Sequence, residues 1–360
     1  MKIENLSKFR TELMGFAMLL VVWHHLPMFM NNALYGILKD NAGFGVDIFV
    51  LLSGMGLYYS ASKHFNIRDY FKKRVIRIFP IYAFVILCVL LLKGTFDFQR
   101  YVLLTTTVGY WTHGICFDWF IPNLILMYIL FPLFYKIIEK KILYGILVII
   151  LLWSIIYCLP DGENFQALYR FPVFFLGVIV GKCLINRILP PPPISLHTAL
   201  LVICMPSSHT EHTSGIYINK TISIIILIAF VIGIGLVLYG RLMYYQPILD
   251  PFELPLLKYN GWLFIPYIFL VVYFCVLITN LFTISFLKFL NPIWNLFGSM
   301  SIEVYLLHGQ FIILTRYVVD TYGLSKSLVG FVLVMLSFVL SYYLHIANKY
   351  VMELLSSKGL

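Results

Sequence analysis

The chain has 360 residues, of which 61% are hydrophobic and only 12% are charged, and its mean hydropathy is +0.90. Soluble domains carry roughly 25% charged residues and about 45–50% apolar ones, so this composition excludes a water-soluble globular protein. It predicts an all-α polytopic membrane protein. The net charge of +10 is evidence on topology, because Lys and Arg collect in cytoplasmic loops.

Long apolar runs predict a bundle of ten or eleven transmembrane helices, because a span needs ~20 predominantly apolar residues. We expect one domain over residues 1–350 and a short C-terminal tail over 351–360. The run 194–206 is short and follows four prolines, and 98–112 is polar enough to be placed at the membrane interface. The predicted spans are 12–30, 44–61, 79–93, 119–138, 142–159, 169–185, 194–206, 221–240, 261–282, 302–319 and 327–347.

Basic residues predict the orientation of the chain in a plasma or inner membrane. Cytoplasmic loops collect Lys and Arg, and the loop 62–78 carries six of them against a single acidic residue, Asp69. All basic clusters fall on one side of the bundle if the N-terminus is cytoplasmic. The later clusters are Lys136, Lys140 and Lys141, Lys182 and Arg187, Arg241 and Lys258, and Arg316 and Lys326.

Ionisable side chains inside the spans are few, and such residues usually mark function because they are costly to place in lipid. Arg170 lies near a helix end. The six cysteines have no metal-like or redox spacing, and we expect no metal centre. The ionisable residues within spans are His24, His25, Asp47, Glu303, His308 and His345.

Six sequence blocks occur in an order that resembles the membrane acyltransferase-3 family, whose members O-acylate surface polysaccharides and related glycans. The blocks cover nearly the whole chain. They are ELMGFAMLLVVWHH (12–25), GFGVDIFVLLSGMGL (43–57), YFKKRVIRIFPIYAF (70–84), WFIPNLILMYILFPL (119–133), YRFPVFFLGVIVG (169–181) and SIEVYLLHGQF (301–311).

This resemblance implies a cytoplasmic acyl-CoA donor, with acetyl-CoA expected, and a glycan or lipid-linked oligosaccharide hydroxyl as acceptor. It also implies that a histidine late in the first helix is the catalytic base. The family pattern has an arginine, ten residues and then the histidine, but counting back from His25 reaches Met14. Arg10 lies one turn earlier, about 6 Å along a helix axis, and is the candidate substitute.

The histidine assignment also has a chemical basis, since an imidazole that takes the proton of a sugar hydroxyl contributes typically 10²–10⁴-fold to the rate. His24 and His25 point about 100° apart on a helix, so one faces the site, and we favour His25 as the base. Asp47 or Glu303 would orient its ring. A role for both histidines in binding helix backbone remains the alternative.

The other candidates divide between functional and structural roles. His308, like Glu303, would border a central cavity in the catalytic site, or be a buried polar residue satisfied within the bundle. The basic run at 72–77 would bind CoA phosphates, since guanidinium groups suit phosphate geometry, or lie on anionic lipid. The cofactor-binding candidates are Lys73, Arg74, Arg77 and Arg10.

We place four further residues on the acceptor side, with interfacial anchoring as the alternative role for the tryptophan. They are His24, Trp119, Asn123 and Arg170. Membrane lipids and polysaccharide-assembly proteins are the expected partners, and nucleic acid is not. The competing function is a secondary transporter or exporter of a lipid-linked glycan or small molecule. No internal repeat of the kind that many transporters carry is evident.

Overall fold

The computed structural model describes residues 3–26, 33–114, 117–158, 168, 170–188 and 264–357. The predicted spans 194–206 and 221–240 lie outside these residues. Within them every regular element is a helix, which confirms the all-α class.

The helices are numbered here in chain order. The first seven are α1 (Asn5–Lys8), α2 (Arg10–His25), α3 (Ala33–Asn41), α4 (Gly45–Lys63), α5 (Ile67–Leu92), α6 (Phe98–Thr105) and α7 (Val108–His113), with a 3-10 turn at Ala42–Phe44. The others are α8 (Phe120–Lys140), α9 (Ile142–Cys158), α10 (Phe171–Ile188), α11 (Phe264–Leu281), α12 (Asn291–Ser299), α13 (Ser301–Tyr322) and α14 (Lys326–Ser357), with a 3-10 turn at Lys288–Leu290.

Among the described residues, five helical segments are long and apolar enough to cross a bilayer, which confirms a multi-pass membrane protein. Several shorter apolar helices, α9, α10 and α11 among them, coincide with other predicted spans. The five segments are Ala42–Lys63, Ile67–Leu92, Phe120–Lys140, Ser301–Tyr322 and Lys326–Leu355.

Helix α5 differs most from its predicted span, 79–93, because it begins twelve residues earlier. Asn66 caps it by accepting hydrogen bonds from the backbone N–H groups of Arg68 and Asp69. Pro80, the second residue of the predicted span, lies well inside the helix. The basic run is therefore the first three turns of a membrane helix rather than a separate surface segment.

Helix α14 also departs from its predicted span, because it continues to Ser357, through most of the predicted tail.

Lys182, counted among the basic clusters that predict the orientation, is buried in α10. Its amine lies 3.0 Å from the Glu139 carboxylate and donates to the Ile138 carbonyl oxygen at 2.6 Å. Tyr58 donates to the same carboxylate at 2.9 Å.

Glycines bring the backbones of α4 and α10 into direct contact. Gly54 lies against the carbonyl oxygen of Phe174, and Gly177 lies against the carbonyl oxygen of Leu51. A methyl group added at either glycine would overlap the facing backbone. Small residues that admit close helix approach are a main source of packing in membranes, where the hydrophobic effect does not drive helices together.

A second reciprocal contact joins α2 to α12. Gly15 lies against the carbonyl oxygen of Trp294, and Gly298 lies against that of Thr11. On the α4 side of α2, Gly45 meets the carbonyl oxygen of Ala17. Helix α2 is therefore held between two neighbours by backbone contacts that leave no room for a side chain.

We expect Gly54→Ala to lower the unfolding temperature of the purified protein in detergent. The added methyl group meets backbone that cannot rotate away, and overpacking of this kind costs about 1–3 kcal/mol. Gly309→Ala is the matched control, because a methyl group there meets nothing within 4 Å. Equal unfolding temperatures for the two variants would contradict the close-packing interpretation.

Candidate active site

The two histidines of the first membrane helix lie at its C-terminal end. Helix α2 ends at His25 because the next residue, Leu26, precedes Pro27 and takes an extended backbone (φ −57°, ψ 145°). The imidazole rings of His24 and His25 are 4.9 Å apart and nearly perpendicular. The two rings therefore point in different directions and contact different neighbours.

The contacts of His25 define which ring nitrogen is free. Its Nδ1 lies 2.8 Å from the carbonyl oxygen of Val21, and a carbonyl oxygen only accepts, so Nδ1 carries the hydrogen. In the neutral ring this leaves the Nε2 lone pair as the basic site. The orienting partner is thus a backbone carbonyl of the same helix, where the sequence suggested the carboxylate of Asp47 or Glu303.

His308 of α13 adds a second imidazole to this site. Its ring is 5.2 Å from the His25 ring, and its Nδ1 lies 2.7 Å from the Tyr305 carbonyl oxygen and 3.1 Å from that of Val304. By the same reasoning its Nε2 is also the free nitrogen. His308 is buried, while the His25 side chain is exposed, so the pair has one sheltered and one open member.

His24 is engaged with the short helix α3. Its Nδ1 lies 3.0 Å from the carbonyl oxygen of Lys39, and the Lys39 amine donates to the His24 carbonyl oxygen at 2.8 Å. The amine thereby satisfies a carbonyl at the end of α2, where no further turn supplies a donor. Lys39 escaped the sequence analysis because it lies outside every predicted span.

Asp47 and Arg170 form a buried ion pair between α4 and the residue preceding α10. Their Oδ1 and Nε atoms are 3.3 Å apart, and the guanidinium group lies 4.7 Å from the centroid of the Trp119 ring. Asn123 is buried nearby in α8 and donates to the Trp119 carbonyl oxygen at 2.6 Å and to the Tyr110 hydroxyl at 3.3 Å. The structure thus brings three of the four predicted acceptor-side residues, Trp119, Asn123 and Arg170, close together. Asp47, predicted as a possible orienter of His25, lies with them instead.

Glu303 lies apart from the histidine pair, although it shares α13 with His308. Its Oε1 accepts from Asn348 Nδ2 at 2.9 Å and lies 3.2 Å from His345 Nδ1, both on α14. The side chain is 1% exposed. Glu303 therefore joins α13 to α14 and is not placed to orient His25, whose Nδ1 is already held by Val21.

A cavity of about 290 Å³ is lined by three arginines. Arg10 contributes from the start of α2, and Arg74 and Arg77 contribute from the first turns of α5. Met14, which stands at the position of the family arginine, lines the same cavity. Arg10 and Met14, one helical turn apart, thus line the same cavity.

The Arg10 side chain is held against α4 by hydrogen bonds to a backbone carbonyl. Its Nε and one terminal nitrogen each lie 3.3 Å from the carbonyl oxygen of Leu52. Gly56 leaves the room for this side chain, because a methyl group at that position would overlap the guanidinium group. Lys73 does not line this cavity; it lines a neighbouring one, which Arg74 and Arg77 also line.

Tyr305 connects the arginine cavity to the histidines. It lines the cavity, its ring is 5.5 Å from the His308 ring, and its hydroxyl donates to Asp118 Oδ1 at 3.3 Å. Asp118 also accepts from the backbone N–H of Ile121 at 2.8 Å, as a helix cap does. Sequence analysis missed both residues, because an Asp before an apolar run indicates only a cap and a Tyr in a span only packing.

The model of an acyltransferase domain family matches residues 13–346. The chain belongs to the acyltransferase-3 family. No curated protein and no solved structure is similar enough to the chain to be matched.

Family membership identifies a membrane acyltransferase, and its candidate site has two ends. One is the cavity lined by Arg10, Arg74 and Arg77, and the other is the pair His25 and His308. At about 1.5 Å per residue, Arg10 and His25 lie about 22 Å apart along α2. A reagent that touches both ends must therefore be long and carry negative charge at one end.

We expect Asp47→Asn to destabilise the acyltransferase strongly, because it leaves the Arg170 charge buried without its carboxylate. Breaking a buried pair from one side costs about 3–5 kcal/mol, measured as the shift in thermal unfolding in detergent. Asp320→Asn makes the same chemical change at an exposed position of α13 and is expected to alter stability by less than ~0.5 kcal/mol. An unfolding temperature for Asp47→Asn as high as that of Asp320→Asn would show that the pair contributes nothing.

Proposed function

We propose that this membrane acyltransferase transfers an acyl group, acetyl in the first instance, from cytoplasmic acyl-CoA to a hydroxyl group of a cell-surface glycan. The observation that carries the proposal is the two-ended site along α2. A CoA thioester has the matching form, with phosphates at one end and the reactive carbonyl carbon at the other. The proposal places the arginine end at the cytoplasmic face of the plasma or inner membrane.

The arginine cavity supports an anionic donor. Guanidinium groups bind phosphate oxygens through paired hydrogen bonds and keep their charge when partly buried. Arg10, Arg74 and Arg77 line the cavity, and no carboxylate of the described residues lines it with them. Like charges that converge in a partly buried cavity repel one another more strongly than in bulk water, so this arrangement favours a ligand that carries several negative charges.

The histidine end supports general base catalysis. In the proposed reaction His25 Nε2 takes the proton of the acceptor hydroxyl as its oxygen attacks the thioester carbonyl carbon. The carbon–sulfur bond then breaks, and the CoA sulfur takes the proton from His25 as the ester forms. The Val21 carbonyl holds Nδ1–H throughout, and His308 presents a second Nε2 beside the reacting groups.

The acceptor side remains a prediction from the sequence. The cluster of Trp119, Asn123 and Arg170 offers an aromatic ring and polar groups of the kind that bind sugars, and His24 lies beside the base. Family membership favours acyl transfer over the transporter or exporter that the sequence left open. Polysaccharide-assembly proteins are the proposed source of the acceptor.

The proposal is tested with the purified protein, radiolabelled acetyl-CoA and an acceptor glycan from the host membrane. His25→Ala is expected to lower kcat for transfer by roughly 10²–10⁴-fold, since it removes the base. His64→Ala is the control, because His64 is exposed beyond the end of α4 and is expected to keep full activity. Transfer that is undiminished in His25→Ala would overturn the mechanism.

We expect Gly56→Ala to weaken donor binding without unfolding the protein. The added methyl group meets the movable end of Arg10, so the guanidinium group is displaced rather than the helix. A hydrogen bond to a charged group contributes about 1.5–3 kcal/mol, so KM for acetyl-CoA is expected to rise roughly tenfold or more. Steady-state kinetics measure this change.

Gly309→Ala provides the control for that measurement, because its methyl group has free space. Arg10→Gln is expected to reproduce the rise in KM caused by Gly56→Ala. If Arg10→Gln and Gly56→Ala both keep the wild-type KM, Arg10 has no part in holding the donor.

A further inference from the structure

A second, larger cavity of about 600 Å³ adjoins the arginine cavity. The two cavities share Arg74, Arg77, Ser301 and Ile302 in their walls. A single ligand can therefore occupy both, with its most negatively charged part at the shared arginines. The volume lies within the range of about 300–1,000 Å³ that is usual for small-molecule sites.

The lining of the second cavity combines cations with one buried carboxylate. Lys72 and Lys73 stand beside the shared arginines, and the acidic residues are Asp69, which is exposed, and Glu303, which is buried. The cations outnumber the acids, so the cavity suits an anionic ligand. The buried carboxylate of Glu303 also favours a ligand that carries a hydrogen-bond donor.

Glu303 has an oxygen with no partner among the described residues. Its Oε1 is used by Asn348 and His345, while its Oε2 is buried and accepts no hydrogen bond. A buried carboxylate oxygen without a donor is costly, since it has lost water and gained nothing in return. An N–H group of a bound ligand would satisfy it.

We propose that the second cavity binds the 3′-phosphoadenosine end of the CoA donor, an inference that rests on the proposed function. Glu303 Oε2 accepts a hydrogen bond from the exocyclic amino group of the adenine, and Lys72 and Lys73 bind the 3′-phosphate. The diphosphate lies at Arg74 and Arg77, and the rest of the donor extends through the smaller cavity toward the histidines. Glu303 is then a donor-binding residue rather than a catalytic one.

The shared arginines favour a nucleotide over a lipid headgroup. Phosphatidylethanolamine also carries a phosphate and N–H donors, but its charged part ends at the ammonium group and would fill only one cavity. A CoA molecule has a diphosphate with a bulky base on one side and a narrow arm on the other. This order matches the larger cavity, the shared arginines and the smaller cavity.

The test compares binding of CoA, 3′-dephospho-CoA and deamino-CoA, in which a hypoxanthine replaces adenine and the exocyclic amino group is missing. Dissociation constants are measured by calorimetry on the full chain in detergent. In the wild type each altered compound is expected to bind on the order of tenfold more weakly than CoA, the effect of one lost hydrogen bond to a charged group.

Variants then assign each effect to its residue. Glu303→Gln is expected to abolish the preference for CoA over deamino-CoA while keeping the preference over 3′-dephospho-CoA. Lys72→Gln combined with Lys73→Gln is expected to do the reverse, which keeps the proposal testable if the Glu303 variant fails to fold. Lys349→Gln, an exposed change on α14, is the control and is expected to keep both preferences.

The outcomes separate this inference from the proposed function. Equal affinity of the wild type for all three compounds would overturn the adenosine site and leave the acyltransferase proposal standing. Phosphatidylethanolamine retained by the wild type and lost from Glu303→Gln, with no discrimination among the three compounds, would assign the cavity to lipid instead. Failure to bind CoA at all, together with no acyl transfer from acetyl-CoA, would overturn both.

Discussion

Backbone contact between helices is the constraint on which the rest of this structure depends. Helix α2 carries an arginine at one end and the histidines at the other, and its position is set by Gly15 against α12 and Gly45 against α4. In a lipid bilayer the hydrophobic effect does not drive helices together, because the lipid tails are as apolar as the side chains. Van der Waals contact at small residues therefore supplies much of the packing. Because these contacts are between backbones, the position of α2, and so of both its ends, does not depend on side chains that can change rotamer.

Buried polar groups add specificity to this packing by joining helices in pairs. The Asp47–Arg170 pair links α4 to the start of α10, Glu303 and Asn348 link α13 to α14, and Lys182 reaches α8. Each group is costly in an apolar bundle unless its partner is present. The partners are drawn from distant parts of the chain, so each pair favours one arrangement of the bundle over its alternatives.

Backbone groups also orient the two histidines of the candidate site. Both His25 and His308 use a carbonyl one turn earlier in their own helix to hold Nδ1–H, and neither needs a carboxylate for orientation. The carboxylates that the sequence offered for that task are engaged elsewhere, with Arg170 and with Asn348. A backbone carbonyl sets the tautomer without placing a negative charge beside the ring.

The sequence by itself determined the class of the protein and most of its membrane helices, and it nominated the candidate site residues. Three signals carried these predictions: the length of apolar runs, the clustering of Lys and Arg, and the few ionisable residues within the runs. Each depends only on residue type and on neighbours along the chain, so it can be read without a structure. Helix ends were less certain, as α5 shows, because caps and interior prolines depend on the contacts around them. Only the tertiary structure decided the partnerships: His25 with His308, Arg10 with Arg74 and Arg77, and Asp47 with Arg170. The members of each group come from separate segments of the chain, so their contacts depend on how the helices pack and not on neighbours in sequence.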